Sequence, residues 1–342
     1  MNLLDRKHQE EFFLDYLTKV LPQKHGFRVA ASSYDEDWSA MRYTTPAGPL
    51  IVRTNDIQKP ETDVPHRTGF VARLLAEIGG REPEEYIRSA TGLFDGVYAN
   101  FNTPIVCPGG AEVFAWDSTR KIWPRPFYIR RWVEGPNLAV LSKAGYFRQA
   151  GKALRFFHRI RFKKYYASFK TVAHGEPSPA AELFAIGKAL EAVEPLLPLV
   201  TIDAITKLEF DAESAAVGLL SNSFFGSNIL IDNRGHVRVL DWERAGIGDI
   251  AQDFFPLKYW TAVDKRSGWY MPDASLYAAF CKGYGASEVE ALAARASWRY
   301  LEAQWLLQRL GAASRRWTLG GLREPYPEPD FYVGCLRQLL DA

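Results

Sequence analysis

Between Phe27 and Arg53 apolar and polar positions alternate in short runs: FRVAASSY, a polar interruption at DEDW, SAMRYTT, a Pro-Ala-Gly-Pro turn and LIVR. Alternation of period two, broken by turn residues, predicts strands, here an antiparallel meander. From His66 to Ile78 the spacing becomes helical, and the run HRTGFVARLLAEI stops at Gly79-Gly80 as a helix should. A second hairpin is predicted from AEVFAWD and PFYIRRWVEG, with Ser118 to Pro126 connecting them. After Gly135 helical patterns dominate: FRQAGKALRFFHRI, AAELFAIGKALEAVEPLL and ASWRYLEAQWLLQRLGAA. The exception lies between Ser221 and Asp241, where ILI and VRVL flank Asp232-Asn233-Arg234-Gly235, a tight hairpin signal. At the N-terminus Leu4, Phe12, Tyr16 and Leu17 fall at roughly helical spacing, which predicts a short amphipathic helix.

This pattern predicts an α+β chain of two lobes: a strand-rich lobe over residues 1–134 and a mainly helical lobe over 135–342, joined near Trp132 to Gly135. Ligands usually bind in the cleft that such an arrangement makes. A chain of 342 residues with 47% hydrophobic content has material for a core in each lobe. Net charge is +2 and the 24% charged residues are spread out, so no basic stripe points to nucleic acid as a partner. Charges interrupt the N-terminal apolar residues and no run reaches the ~20 residues of a membrane span, so neither export nor membrane insertion is expected, and a cytoplasmic location is. Cys107, Cys281 and Cys335 are odd in number and outside any CxxC spacing; they read as packing residues of a reduced protein and not as a zinc site.

The chemistry concentrates in NILIDNRGHVRVLDWERAGIGDIAQDFF, residues 228 to 255. Phosphoryl transfer needs positioning and charge neutralisation, with Mg²⁺ held against phosphates by hard oxygen ligands. Asn228 and Asp241 supply an amide and a carboxylate that a hairpin can bring to one end of two strands. Read more simply, Asn228 is a turn former and Asp241 a cap. Glu243 reads either as an outer metal ligand or as a solvated loop charge, and Asp249 and Asp253 as anchors of loop and helix. His158, closing its helix, reads as a packing or helix-end residue; His174 and His236 lie in turns. Trp298, Leu301 and Trp305 fall at helical spacing beside Arg299, Arg309, Arg315, Arg316 and Trp317. Such a stripe is core with arginines on the wet face, or else a wall suited to an anionic or planar acceptor.

Four segments, LIVR, PFYIRRWVEG, the helix ending in FFHRI and the run from Asn228 to Phe255, occur in the order and at the spacings of the aminoglycoside phosphotransferase and choline kinase family, which the chain resembles over most of its length. The resemblance implies a protein-kinase-like fold, ATP or GTP and Mg²⁺ as cofactors, and a small-molecule acceptor bound by the helical lobe. It implies metal ligands at Asn228 and Asp241, a phosphate-facing cation at Arg53, and backbone groups near Arg131 to Val133 on the purine edge. Arg in place of the usual Lys keeps the charge and adds bidentate geometry. The early helix Glu that steadies this cation in the family is absent from HRTGFVARLLAEI, where Glu77 lies near the far end. The phosphate loop SSYDEDWS has no glycine and carries acids.

The catalytic loop departs furthest. The family's His-Gly-Asp-x-x-x-x-Asn falls on Ser221, Asn222, Ser223 and Asn228, so Ser223 stands in place of the catalytic Asp and Ser221 in place of the His. No Asp or Glu lies between Glu213 and Asp232, so a shift of register supplies no carboxylate. A serine hydroxyl is no base at neutral pH, and a positioned base is worth ~10² to 10⁴ in rate. Three readings stay open: a divergent phosphotransferase, a silent pseudokinase serving as a binding or regulatory module, and an ATP-using enzyme of another type, such as nucleotidyl transfer or carboxylate activation.

Overall fold

A computed structural model describes residues 6–21, 27–34, 38–55, 64–90, 98–106, 109–179, 185–318 and 326–341. Leu4, the phosphate-loop acids Asp35, Glu36 and Asp37, Cys107 and the stretch 180–184 lie outside the described residues, as do the side chains of Arg316 and Trp317. The chain divides into two compact units. One holds Met1–Arg81, Ser89–Glu134 and Arg238–Ala245; the other holds Glu82–Arg88, Gly135–Val237 and Gly246–Ala342.

The first unit is built on one antiparallel sheet, with strands in the order β1 (Arg28–Tyr34), β2 (Trp38–Thr44), β3 (Leu50–Asn55), β6 (Phe127–Arg131), β5 (Val113–Asp117) and β4 (Tyr98–Ala99). Because successive side chains point to opposite faces, strand parity sorts the residues. Met41 and Tyr43 of β2, Leu50 and Val52 of β3, and Phe127 and Ile129 of β6 share one face, packed with Phe13 and Leu17 of helix α1 (Arg6–Val20) and with Trp123. The other face receives the alternate residues, among them Arg53 and its direct cross-strand partner Tyr128. Trp116 of β5 pairs with Tyr128 on that face, and helix α2 (Val64–Glu77) reaches it through Gly69: a Cβ there would fall 2.3 Å from the indole. The predicted meander, the helix after His66 and the second hairpin are all present.

The second unit is mainly helical. Helix α3 (Ala144–Phe157) buries Phe147, Ala150, Gly151, Leu154 and Phe157, a single stripe at helical spacing. It crosses the helix Ala274–Tyr284 at a pair of glycines. A Cβ on Gly151 would sit 2.1 Å from the Phe280 carbonyl oxygen, and one on Gly283 would sit 2.1 Å from that of Arg148. Strands β7 (Val217–Leu220) and β10 (Gly246–Asp249) pair antiparallel. The turn after β8 (Ile229–Ile231) is shaped by Asp232, whose Oδ1 accepts the amides of Arg234 and His236, and by Gly235 at φ +77°. In the long helix Ala296–Thr318, Trp298, Leu301 and Trp305 are buried, and Trp305 stacks on Tyr259 with centroids 5.5 Å apart. The stripe is therefore core. Among the described residues no helix is long and apolar enough to cross a membrane.

The glycine crossing gives a direct test. Gly151→Ala should destabilise the protein by about 1–3 kcal/mol, because the methyl meets backbone that cannot yield cheaply. Gly145→Ala, in the same helix with nothing within 4 Å of the added carbon, should be neutral or stabilising by up to about 1 kcal/mol. Paired urea denaturation curves check both.

Candidate active site

In the first unit β3 delivers Arg53 and β6 delivers Tyr128, and the segment Arg238–Ala245 brings Asp241 and Glu243 to the same place. Arg53 Nη1 lies 2.6 Å from Glu243 Oε1 and 3.3 Å from the Tyr128 hydroxyl, which itself donates to Glu243 Oε1 at 2.5 Å. Burial works against the charge on Arg53, but Tyr128, Glu243 and Asp241 outweigh it and hold the guanidinium firmly protonated. Glu243 is pushed up by burial, pulled back by Arg53 and pushed up again by the Asp241 carboxylate beside it. Tyr128 is raised by burial and by Glu243, so its hydroxyl keeps its proton and donates. Glu243 is only 8% exposed, so it is not a solvated loop charge.

Helix α2 supplies no acid to this group. Glu77 pairs with Arg73 at 3.0 Å on the helix surface. Arg67 of the same helix instead donates from Nη1 to the Glu243 carbonyl at 3.3 Å. Asp241 itself adopts φ +63°, ψ +64°, a left-handed conformation that costs a non-glycine residue energy and recurs at functional sites.

At the predicted hinge the Arg131 amide donates to Glu112 O at 2.8 Å and the Trp132 amide to Pro49 O at 3.0 Å. The Arg131 guanidinium binds Glu112 at 2.8 Å and the Ala47 carbonyl, and lies 4.9 Å from the Phe114 ring. Val133 is half-buried.

In the second unit the loop Ser221–Asn228 leaves the end of β7 in a fixed shape. Asp253, 1% exposed, accepts the Ser221 amide on Oδ2 at 2.7 Å and the Asn222 amide on Oδ1 at 2.9 Å. Its Oδ2 also lies 3.3 Å from His158 Nε2, and His158 Nδ1 lies 3.1 Å from the Tyr284 hydroxyl. Burial pushes the His158 pKa below its ordinary value, so the ring is neutral: Nε2–H donates to Asp253 and Nδ1 accepts from Tyr284. Asn222 has φ +54°, at the position where the family carries glycine, and Asn is among the few side chains that tolerate this region. Farther along, Asn228 Nδ2 donates to the Ser223 carbonyl at 3.1 Å, and Gly226 admits Ala139, whose Cβ would lie 2.7 Å from an added carbon. Asp249 anchors the loop floor through Arg295 at 2.9 Å and the Ala251 amide at 2.9 Å.

The structure thus brings Arg53, Asp241 and Glu243 together in one unit, and Ser221, Ser223 and Asn228 together in the other. Ser223 is fully buried, and its hydroxyl has no hydrogen-bond partner among the described residues. Tyr128, Arg67 and Tyr284 are site-forming residues that sequence reasoning missed. The parity of PFYIRRWVEG, which puts Tyr128 across from Arg53 once the strands pair, was the available signal for the first.

In the first unit Asp241 and Glu243 place two carboxylates side by side, hard oxygen donors of the kind a divalent cation takes, and in the second Asn228 carries an amide oxygen of the same kind. Among the described residues no group of three or more His, Cys, Asp or Glu is arranged to hold a metal. Few protein ligands, with phosphate oxygens and water completing the shell, is the usual regime of Mg²⁺.

The buried imidazole makes stability depend on pH. Its folded pKa lies below the ordinary 6.5, so below that pH the unfolded chain binds the proton first and stability falls as pH falls. The slope from this one group is at most ~1.4 kcal/mol per pH unit. Denaturation at pH 7.5 and 5.5 should show a larger loss for the native protein than for His158→Asn.

The profile of the phosphotransferase enzyme family matches residues 34–306. No curated protein matches the chain. Among solved structures, a thermostable mutant of aminoglycoside phosphotransferase APH(4)-Ia in ternary complex with ADP and hygromycin B superposes with a TM-score of 0.54 at 13% identity, covering 96% of this chain and 97% of that one. A Plasmodium vivax ethanolamine kinase gives a TM-score of 0.58 at 10% identity, covering 98% and 89%. Macrolide 2'-phosphotransferase MphH from Brachybacterium faecium gives 0.50 at 13%, covering 96% and 97%. At such identities these likenesses speak for the kinase-like fold alone, whereas the profile spans most of the chain, which belongs to the phosphotransferase enzyme family.

Proposed function

We propose that the chain is a divergent ATP- and Mg²⁺-dependent phosphotransferase acting on a small-molecule acceptor, with Ser223 in the place of the catalytic Asp. The observation that carries this reading is the held shape of the loop. A buried carboxylate at Asp253, a neutral buried imidazole at His158 and a left-handed Asn222 all serve to fix eight residues that end in Asn228. Buried polar groups are costly unless satisfied, so such an arrangement is kept where the loop's geometry matters.

In this reading Arg53 binds phosphate oxygens as a permanent cation, and Asn228 and Asp241 hold the metal. Mg²⁺, when bound, neutralises the phosphates and polarises the transferred group. With the Arg131 and Trp132 amides engaged inside the unit, Val133 is the hinge residue whose amide serves a purine edge, while Arg131 contributes by bracing the turn. GTP in place of ATP fits the same backbone recognition. Ser223 orients and does not deprotonate, so the rate rests on positioning and charge neutralisation. An anionic or aromatic acceptor suits Arg309, which lies 5.5 Å from the rings of both Trp260 and Trp305, better than a polycation does. A cytoplasmic location accords with this reading.

One observation favours a second reading. The fully buried Ser223 hydroxyl, with no described partner, is in no position to meet a substrate as it stands, which suits a silent module that binds nucleotide without turnover.

Calorimetric titration with ATP and Mg²⁺, separately and together, should show nucleotide binding that depends on metal. Asp241→Ala should abolish that metal dependence while the far-ultraviolet circular dichroism stays native; unchanged Mg-ATP binding would remove the metal assignment. Ser223→Asp separates the two readings: a competent site should gain transfer or ATP hydrolysis within the ~10² to 10⁴ range of a positioned base, and a silent one should gain none.

A further inference from the structure

Arg53 is buried to 16% side-chain exposure and faces Glu243 at 10%, and neither charge survives such burial alone. The pairing has a geometry beyond charge neutralisation. Glu243 Oε1 takes the Arg53 guanidinium on one side and the Tyr128 hydroxyl on the other, and the Tyr128 oxygen also accepts from Arg53 at 3.3 Å, so the three groups close a triangle. Tyr128 is directly opposite Arg53 in the β3–β6 ladder, so sheet register fixes two corners of the triangle. The third corner is fixed by Arg67, which holds the Glu243 carbonyl. Helix α2, the element expected to supply an acid to Arg53, thus supplies a cation that binds the Glu243 backbone, and the acid beside Arg53 comes from the Asp-Trp-Glu segment.

We propose that Glu243 is the positioning residue for Arg53, a carboxylate moved from helix α2 to the segment after β9 (Val237–Val239), and that with Tyr128 it aims the guanidinium at the phosphates of a nucleoside triphosphate. This inference rests on the phosphotransferase reading. It assigns Glu243 to the cation and leaves the metal to Asp241. Glu243 Oε1 and the Tyr128 oxygen both meet Nη1, so the guanidinium is held in one orientation and the long side chain loses little entropy on binding phosphate. A helix carboxylate can swing away with its helix, whereas one that follows Asp241 by two residues arrives with the metal ligand. Cation and metal ligand are thereby set by a single short segment.

The experiment is a double-mutant cycle read by Mg-ATP affinity and by melting temperature. Glu243→Gln should weaken Mg-ATP binding by about tenfold or more, since bonds to charged groups are the strong ones. Arg53→Met should weaken it at least as much. If Glu243 acts through Arg53, the double variant binds no worse than Arg53→Met alone, while its melting temperature recovers relative to Glu243→Gln because no buried charge is left alone. Additive losses, or a Glu243→Gln effect that excess Mg²⁺ rescues, would overturn the proposal and make Glu243 a metal ligand. Recovery of affinity together with melting temperature in the double variant would also overturn it, by making the pair merely structural. Should Glu243→Gln fail to fold, Tyr128→Phe keeps both charges, removes one corner of the triangle and is expected to cost a few-fold in affinity; no change there counts against the proposal. A native protein that binds no Mg-ATP defeats the phosphotransferase reading itself and this inference with it, an outcome distinct from the others.

Discussion

Irregular backbone can be buried only if its amides find acceptors, and in this chain one carboxylate supplies two of them. Asp253 accepts from Ser221 and Asn222, and it needs those donors as much as they need it, because a buried carboxylate without them would be strongly destabilising. The requirement spreads outward. His158, at the end of α3, and Tyr284, at the end of the helix Ala274–Tyr284, form a relay that reaches Asp253. Those two helix ends meet because Gly151 and Gly283 let the helices approach until carbonyls lie where methyls would be. Two absent side chains therefore set the position of a loop far along the chain.

Much of the fold was legible because its signals are local. Period-two alternation gave the strands of the sheet, Gly79-Gly80 the end of α2, and Asp232 with Gly235 the turn after β8. Trp298, Leu301 and Trp305 were legible as a stripe, and burial resolves which of two meanings the stripe has. Trp123 was not legible, since it sits in a connection whose core role depends on Phe13 and Phe127 arriving from elsewhere.

The site was legible where it is a matter of residue type and opaque where it is a matter of partners. Ser223 is visible in the sequence because a carboxylate is missing from a spaced pattern. The absent acid of α2 is visible in the same way, but the carboxylate that pairs with Arg53 is not, because Glu243 meets Arg53 only after β3, β6 and the Asp-Trp-Glu segment have come together. In sequence Glu243 reads equally as an outer metal ligand or a solvated loop charge, since its neighbours are Trp242 and Arg244 and its burial comes from other elements. Hinge chemistry is carried by backbone amides and leaves no mark in side chains. Only the engagement of the Arg131 and Trp132 amides by Glu112 and Pro49 separates them from Val133.

The two units are not contiguous stretches of chain. Eight residues, Arg238–Ala245, belong to the unit otherwise drawn from the N-terminal part, and Glu82–Arg88 belong to the other. A gene fragment cut at Glu134 would encode the whole sheet yet lack Asp241 and Glu243, leaving Arg53 and Tyr128 without their carboxylate partner. The sheet-bearing unit is thus completed only after most of the second unit has been synthesised. During translation Arg53 and Tyr128 precede Glu243, so the final closing of that face is tied to a stretch of chain that emerges more than a hundred residues later.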